Sequence, residues 1–335
     1  MLQTKTIYDT ARELPLVWET RLFGNSELYK RAFMAHIQSG SESKQTYYLT
    51  ENADGIDGGI VSSLRLRATK WLPSMNTVIC RYPLSLPTRG YALSQTAVES
   101  AVRVLSERKE ALKMVLCDAA VPNILPKGWR VKSGMPYAVF VNEYRTFEEY
   151  LKSLKKNYRK SVKRSLRKFD GIAIREEKGN DFTARHYELY QGVARKARYK
   201  GFLMRESFFT GINIDHLYLS AYFNGQIVGW VMLLFDGPGL YAPICGFDLE
   251  KNRRHDIWRN LHIAAIKKAI DGGYSTLDFG DTAEIGKTSL GCVLKPRYLL
   301  VKHENELLNN LLLFSGWFEY KLTGMMPQPF KRTEG

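Results

Sequence analysis

Two alternating apolar runs, LYLSAYF (217–223) and QIVGWVMLLF (226–235), meet at Asn224-Gly225. That dipeptide tolerates positive φ at both central positions of a two-residue turn, so the flanking runs are predicted to fold back as an antiparallel hairpin. A hairpin this apolar is not stable alone; it needs further strands and covering helices. The surrounding sequence supplies both. A short strand at 172–176 and a helix near 182–198 precede the hairpin; GLYAPICGF, the helix DIWRNLHIAAIKKAI, and the strands STLDFG and PRYLLVKH follow it.

The same order occurs earlier in the chain. A helix near 25–37 precedes a strand at 45–50, and DGIDGG reads as a turn into IVSSLRLR. NTVICRY, the helix SQTAVESAVRVLSERKEA, and the strands KMVLCDA and YAVFV follow. A meander followed by a strand–helix–strand crossover is an α/β pattern with mixed, mostly antiparallel sheets flanked by helices. At 335 residues the chain exceeds the size at which one core usually keeps growing. Two similar domains are therefore expected, 1–144 and 145–335, the second opening with a basic helix and closing with the helix ENELLNNLLLFSGWFEYKL.

The basic helix is KSLKKNYRKSVKRSLRK, residues 152–168, with nine lysines and arginines and no acidic residue. They follow the three-and-four spacing of one helical face, while Phe147, Leu151, Leu154, Tyr158, Val162, Leu166 and Phe169 form an apolar stripe behind them. One helix over 146–169, roughly 35 Å long at ~1.5 Å per residue, is predicted. The chain carries a formal charge of +15, and removing these nine leaves +6. Such a field concentrates polyanions: nucleic acid, an anionic membrane surface or a phosphate-bearing cofactor. No charged-then-apolar leader opens the sequence and runs such as WVMLLF are too short to span a bilayer, so a cytoplasmic protein is expected. Cys80, Cys117, Cys245 and Cys292 are scattered, without paired metal-ligand spacing, and are read as reduced, packed thiols with no disulfide and no zinc site.

FEEYLKSLKKNYRKSVKRSLRKF resembles the Arg/Lys-rich helix that opens the second domain of tandem GNAT-fold acyltransferases, in the branch of the Fem aminoacyltransferases and the acetyltransferase-like domains found with BioF. YSTLDFGDTAEIGKTSLG is similar to that branch's strand ending in an acidic residue and glycine followed by a lysine. The resemblance covers roughly 145–303, and the first half by order of elements. It implies two GNAT-like domains and transfer of an activated acyl group to an amine, with no tightly bound cofactor. The donor co-substrate is then aminoacyl-tRNA or acyl-CoA; the acceptor is a small-molecule or peptide amine. An ordinary CoA-using GNAT domain presents a glycine-rich turn between its fourth strand and the next helix to the donor pyrophosphate. Here that stretch is GFDLEKNRRHDIWRNLH, with no glycine between Gly246 and Gly272, which favours tRNA.

Transfer to an amine needs a held donor, a deprotonated nucleophile and a stabilised oxyanion. Lys156, Arg159, Lys160, Lys163 and Arg164 are the candidate donor-binding residues, with Arg253 and Arg254 before the following helix as phosphate contacts or as an ordinary solvated loop. Sites in α/β folds gather at the carboxyl ends of strands. There LDFGDTAEIGKTSLG supplies Asp281 to accept or orient the amine proton and Lys287 to polarise the acyl carbonyl or meet a donor phosphate. Asp278 is a further candidate, or a turn cap. Tyr241 is a donor to the leaving group, or core. His262 reads as a satisfied histidine at the core edge. Tyr199, Phe202, Phe208 and Phe209 shape an acceptor cleft or pack in the core. With no G-x-S-x-G elbow and no activated cysteine, direct attack on the donor is expected. Three functions stay open: an aminoacyl-tRNA-dependent acyltransferase, an acyl-CoA-dependent one, and a nonenzymatic module binding nucleic acid or a membrane surface.

Overall fold

The computed structural model describes residues 4–52, 55–66, 74–86, 88–118, 125–197, 203–316, 318–322 and 324–331. Its elements run, in chain order, β1 (Thr4–Tyr8), α1 (Arg31–Gly40), β2 (Lys44–Asn52), β3 (Gly55–Leu66), β4 (Met75–Cys80), α2 (Ala97–Ser106), β5 (Leu112–Cys117), β6 (Arg130–Val141), α3 (Phe147–Ser153), α4 (Lys156–Lys168), β7 (Ile172–Glu177), α5 (Ala184–Lys196), α6 (Glu206–Thr210), β8 (His216–Phe223), β9 (Gln226–Asp236), β10 (Gly239–Tyr241), β11 (Cys245–Phe247), α7 (Leu249–His255), α8 (Ile257–Asp271), β12 (Thr276–Asp281), α9 (Glu284–Thr288), β13 (Val293–His303) and α10 (Glu306–Phe314). They divide into two compact units, Met1–Pro136 with Pro296–Thr323, and Tyr137–Lys295 with Gly324–Gly335. Among the described residues no helix is long and apolar enough to cross a membrane.

Each unit has the GNAT-like order. In the first, β1, β2, β3 and β4 form an antiparallel meander, β4 pairs parallel with β5, and β13 pairs antiparallel with β5 from Tyr298↔Cys117 to His303↔Leu112. In the second, β7, β8, β9 and β10 form the meander, β10 pairs parallel with β12, and β6 pairs antiparallel with β12. The sixth strand of each unit therefore comes from the other half of the sequence. This exchange departs from the expected 1–144 and 145–335 division, which kept YAVFV in the first half and PRYLLVKH in the second. Strand alternation defines a buried face but carries no label for the partner edge.

The fourth strand is split in both units. After Cys80, residues Gly90–Ala92 return to β3 (Ile60 N to Gly90 O 2.7 Å; Ala92 N to Gly58 O 2.8 Å). After Tyr241, β11 returns to β9. GIDGG, read as a turn, lies inside β3 instead. A Cβ on Gly59 would stand 2.6 Å from the Tyr48 ring, so its glycine serves strand packing. At the start of α2 the buried Asp57 carboxylate accepts hydroxyl hydrogen bonds from Ser94, Thr96 and Ser100. The first unit thus fills that helix end with its own anion.

The second unit's sheet is covered on both faces. Ile257, Leu261, Ala265, Ile266 and Ala269 of α8 pack on Leu217, Leu219, Val231, Leu233 and Leu277, each large side chain contributing about 1.5–3 kcal/mol on burial. On the other face α5 lies over β9 and β11, where Trp230 Nε1 donates to the His186 carbonyl at 2.8 Å and Phe182, Phe209 and Tyr218 surround the indole. Phe208 and Phe209 are buried in this layer, which makes them core and not a cleft wall; Tyr199 and Phe202 lie outside the described residues. Asn224 and Gly225 take φ 50° and 74°, as the hairpin requires. The terminal helix is shorter than predicted and stops at Phe314.

Candidate active site

β10 and β12 share hydrogen bonds only as far as Tyr241↔Asp278, with Ala242 N donating to Asp278 O at 2.7 Å. Beyond that point β11 follows β9, while β12 continues along β6 through an irregularity to Asp281↔Tyr137. The two strands splay, and the opening lies at their carboxyl ends, where α/β folds place ligands. Asp278, Asp281 and Lys287 gather here; Tyr241 ends β10 beside them, its ring folded back over Gly239, where a Cβ would lie 3.1 Å from the phenol oxygen. Burial, with Asp236, Asp278 and Tyr137 nearby, pushes the Tyr241 phenol up to about 12. It keeps its proton at neutral pH. Asp278 is 3% exposed and accepts the Gly280 N–H at 2.6 Å, so it shapes the turn.

Lys287 differs from expectation. It is 3% exposed, and its ammonium donates to the carbonyls of Phe279 (2.7 Å), Gly280 (3.2 Å) and Asp281 (2.6 Å). Burial pulls it below the usual lysine range against the opposing pull of Asp281 and Asp278. An ammonium has three donors and no more, so none is left for an acyl carbonyl or phosphate. Around it, burial pushes the Cys245 thiol up to about 11 despite the nearby cation, and raises Cys292 further. Protonated thiols are poor nucleophiles.

His262 stacks on Phe279 (4.8 Å) and Trp258 (4.1 Å), and its Nδ1–H donates to the Trp258 carbonyl at 2.8 Å. Burial first, then the Lys287 charge, drives it down to about 3. It is neutral in the fold, while the unfolded chain protonates it below about 6.5. Its contribution is therefore complete above pH 6.5 and is lost as pH falls from 6.5 toward 3, at up to about 1.4 kcal/mol per unit. Between pH 7 and 4.5 a His262→Phe variant is expected to lose about 2–3 kcal/mol less unfolding free energy than the unmodified chain. Urea titrations at the two pH values measure this; parallel losses would refute it.

The basic segment is not one helix. Thr146 caps α3, which ends at Ser153; Leu154 is extended (φ −67°, ψ 140°), and α4 restarts at Lys156. The break is made by the chain's own tail. Leu154 bridges Phe330, Lys155 N donates to Pro329 O at 2.8 Å, and Lys331 N to Ser153 O at 3.2 Å. Phe330 also lies against Gly291, where a Cβ would meet its ring. The charged helix is thus α4 alone, roughly 20 Å long at ~1.5 Å per residue.

Val162 and Ser165 are the buried side of α4, while Lys156, Lys160, Lys163, Arg164 and Arg167 are exposed and Arg159 half-buried. None of these six pairs with a carboxylate among the described residues. The buried side sits on the α7–α8 corner. Asn260 Nδ2 donates to Ser165 O (2.9 Å), Ser165 Oγ to Asp256 (3.0 Å), and Lys168 pairs with Asp256 (3.3 Å). Arg253 and Arg254 occupy the last turn of α7, exposed and without ion pairs among the described residues. They extend the cationic surface of α4. Beneath it Asp256 takes the left-handed conformation (φ 49°) that joins α7 to α8, and Asn252 Oδ1 accepts the Trp258 N–H at 2.8 Å. The start of α8 is covered.

Arg259 links this surface to the splay. It lies beside Arg164, whose charge adds to burial in lowering it, and its Nη1 donates to Ser289 Oγ, just after α9, at 2.8 Å. Sequence reasoning passed over it because an arginine in DIWRNLH looks like any helix-surface cation.

Residues 89–286 match the model of the FemAB-like family, described as peptidoglycan biosynthesis and recognition. No curated protein matches the sequence. Among solved structures, FemX is similar with TM-score 0.52 and 13% identity, over 93% of this chain and 100% of that one. The C-terminal domain (DUF2156) of an Agrobacterium fabrum protein provisionally assigned as a lysylphosphatidylglycerol synthetase is similar with TM-score 0.51 and 13% identity, over 84% and 89%. At these identities the likeness is one of fold.

Proposed function

The chain belongs to the FemAB-like family and is an acyltransferase; from that premise we propose that it moves an aminoacyl group from tRNA to an amine acceptor, with donor and chemistry both in the second unit. One observation carries the choice of donor. At the helix that follows the fourth strand, α7, the first amides are taken by Asp248, and the start of α8 is covered by Ser165, Lys168 and Asp256, while the outer face of α4 presents cations unpaired among the described residues, with Arg253 and Arg254 on the neighbouring α7. A backbone-tracking polyanion suits that surface; a single pyrophosphate lacks its amide cradle.

The reaction follows from the splay. The acceptor amine attacks the ester carbonyl carbon, forming the C–N bond. Asp281 takes the amine proton, and as the C–O bond to the ribose breaks, Tyr241, protonated at neutral pH, gives its proton to the departing oxygen to restore the ribose hydroxyl; solvent then returns the proton held by Asp281 to the Tyr241 phenolate. Asp278 and Lys287 shape the turn that carries Asp281. The acceptor class is an amine of a cell-wall precursor or a small biosynthetic amine.

The test is a paired donor assay. The chain is expected to bind aminoacyl-tRNA in filter binding, without competition by CoA, and to accelerate loss of the aminoacyl ester on adding amine-bearing peptides. Consumption of acetyl-CoA thioester with the ester untouched would transfer the assignment to the acyl-CoA reading.

A further inference from the structure

In an extended strand successive carbonyls point to opposite sides. At the end of β12 the carbonyls of Phe279, Gly280 and Asp281 instead converge on the Lys287 ammonium. The backbone turns to allow it. Gly280 has φ 66°, and beyond Asp281 two consecutive non-glycine residues, Thr282 and Ala283, are left-handed at 65° and 54°. Side chains disfavour that conformation, and consecutive examples persist only where surroundings over-determine them. Lys287 stands against this turn, its ammonium on the three carbonyls that precede Thr282. It is buried, sits on α9 four residues past Ala283, and closes the turn with its own backbone, Lys287 N donating to Ala283 O at 3.0 Å.

We propose that Lys287 is a positioning residue for acyl transfer: its ammonium, spent on three consecutive carbonyls, locks the 279–283 turn and thereby holds Asp281 at the mouth of the splay, without touching donor or acceptor. On the other flank Asp281 is held in register with Tyr137, so its backbone is held from both sides. The surroundings favour the lock. His262 is kept neutral beside the cation, and the ring of Trp258 closes over Gly286, where a Cβ would lie 2.6 Å from it. The role rests on the reading of Asp281 as proton acceptor; the lock itself does not.

The experiment separates the two. Lys287→Met keeps the length of the side chain and removes its donors. Amide hydrogen exchange over 279–283 is expected to quicken at least tenfold in this variant. The tRNA dissociation constant should stay within twofold, while the single-turnover transfer rate should fall about 10²-fold, the scale of a small misplacement of a reacting group. Asp281→Asn should slow transfer with that exchange unchanged. A loss of tRNA affinity beyond tenfold in Lys287→Met would show a donor contact and overturn the proposal, as would unchanged exchange. Quickened exchange with unchanged transfer would keep the lock but overturn its role in positioning Asp281. Should the variant not fold, ¹⁵N-lysine NMR of the unmodified chain decides: Lys287 should give an ammonium signal in slow exchange with water, as should Lys113, fully buried with Ser106 O and Glu304 in the first unit. An ammonium at Lys287 averaged with water would refute the lock.

Discussion

Asp281→Asn is expected to lower the turnover of aminoacyl transfer by about 10²–10⁴-fold, the range associated with a positioned proton acceptor, with tRNA affinity within twofold. Asparagine preserves the shape of the side chain but cannot take the amine proton. Asp281 stands at the carboxyl end of β12, next to the opening left where β10 and β12 part, and its backbone is pinned by Lys287 at 2.6 Å. A purely structural carboxylate would show its loss in stability and in binding together. The measurement is single-turnover transfer from charged tRNA at saturating acceptor, with thermal unfolding alongside. Retention of more than a tenth of the rate would remove Asp281 from the chemistry.

Changing Arg159, Lys163 and Arg164 together to glutamate should weaken tRNA binding by about 10²–10³-fold near 100 mM salt and reduce the slope of log affinity against log salt by about 2–3, following the release of roughly 0.7–0.9 counterions per phosphate contact. Lys163 and Arg164 are exposed and Arg159 half-buried, on a helix whose buried side is Val162 and Ser165, so folding should be little affected. Relief of like-charge repulsion along the face offsets part of any cost. Unchanged affinity, or a flat salt profile in the unmodified chain, would remove the reason for preferring tRNA to an acyl-CoA donor.

Legibility differed between the parts of the site for definite reasons. The place of Asp281 and Tyr241 at strand ends was readable because such ends are marked by period-two runs closing on glycine or turn residues. The burial of Lys287 was not, since a lysine in a short polar helix looks exposed until the three carbonyls it meets are seen. Arg259 was hidden for the same reason. The basic face of α4 was plain in the spacing, yet its length was overread: nothing in residues 147–169 announces that a segment near the opposite end of the chain will bridge Leu154.

Sequence alone determined the amphipathic stripe of α4, the Asn224-Gly225 hairpin, the repeated meander-and-crossover order and the excess of positive charge. All of these follow from local periodicity, turn chemistry or composition. Tertiary structure decided that β6 and β13 exchange units, that residues 329–331 split the basic helix, and that a lysine's charge is consumed inside the fold. The first two are contacts between segments far apart in the chain, where many partners satisfy the same local pattern and only packing and hydrogen-bond geometry choose among them; the third closes over six to eight residues through a turn that no local period marks.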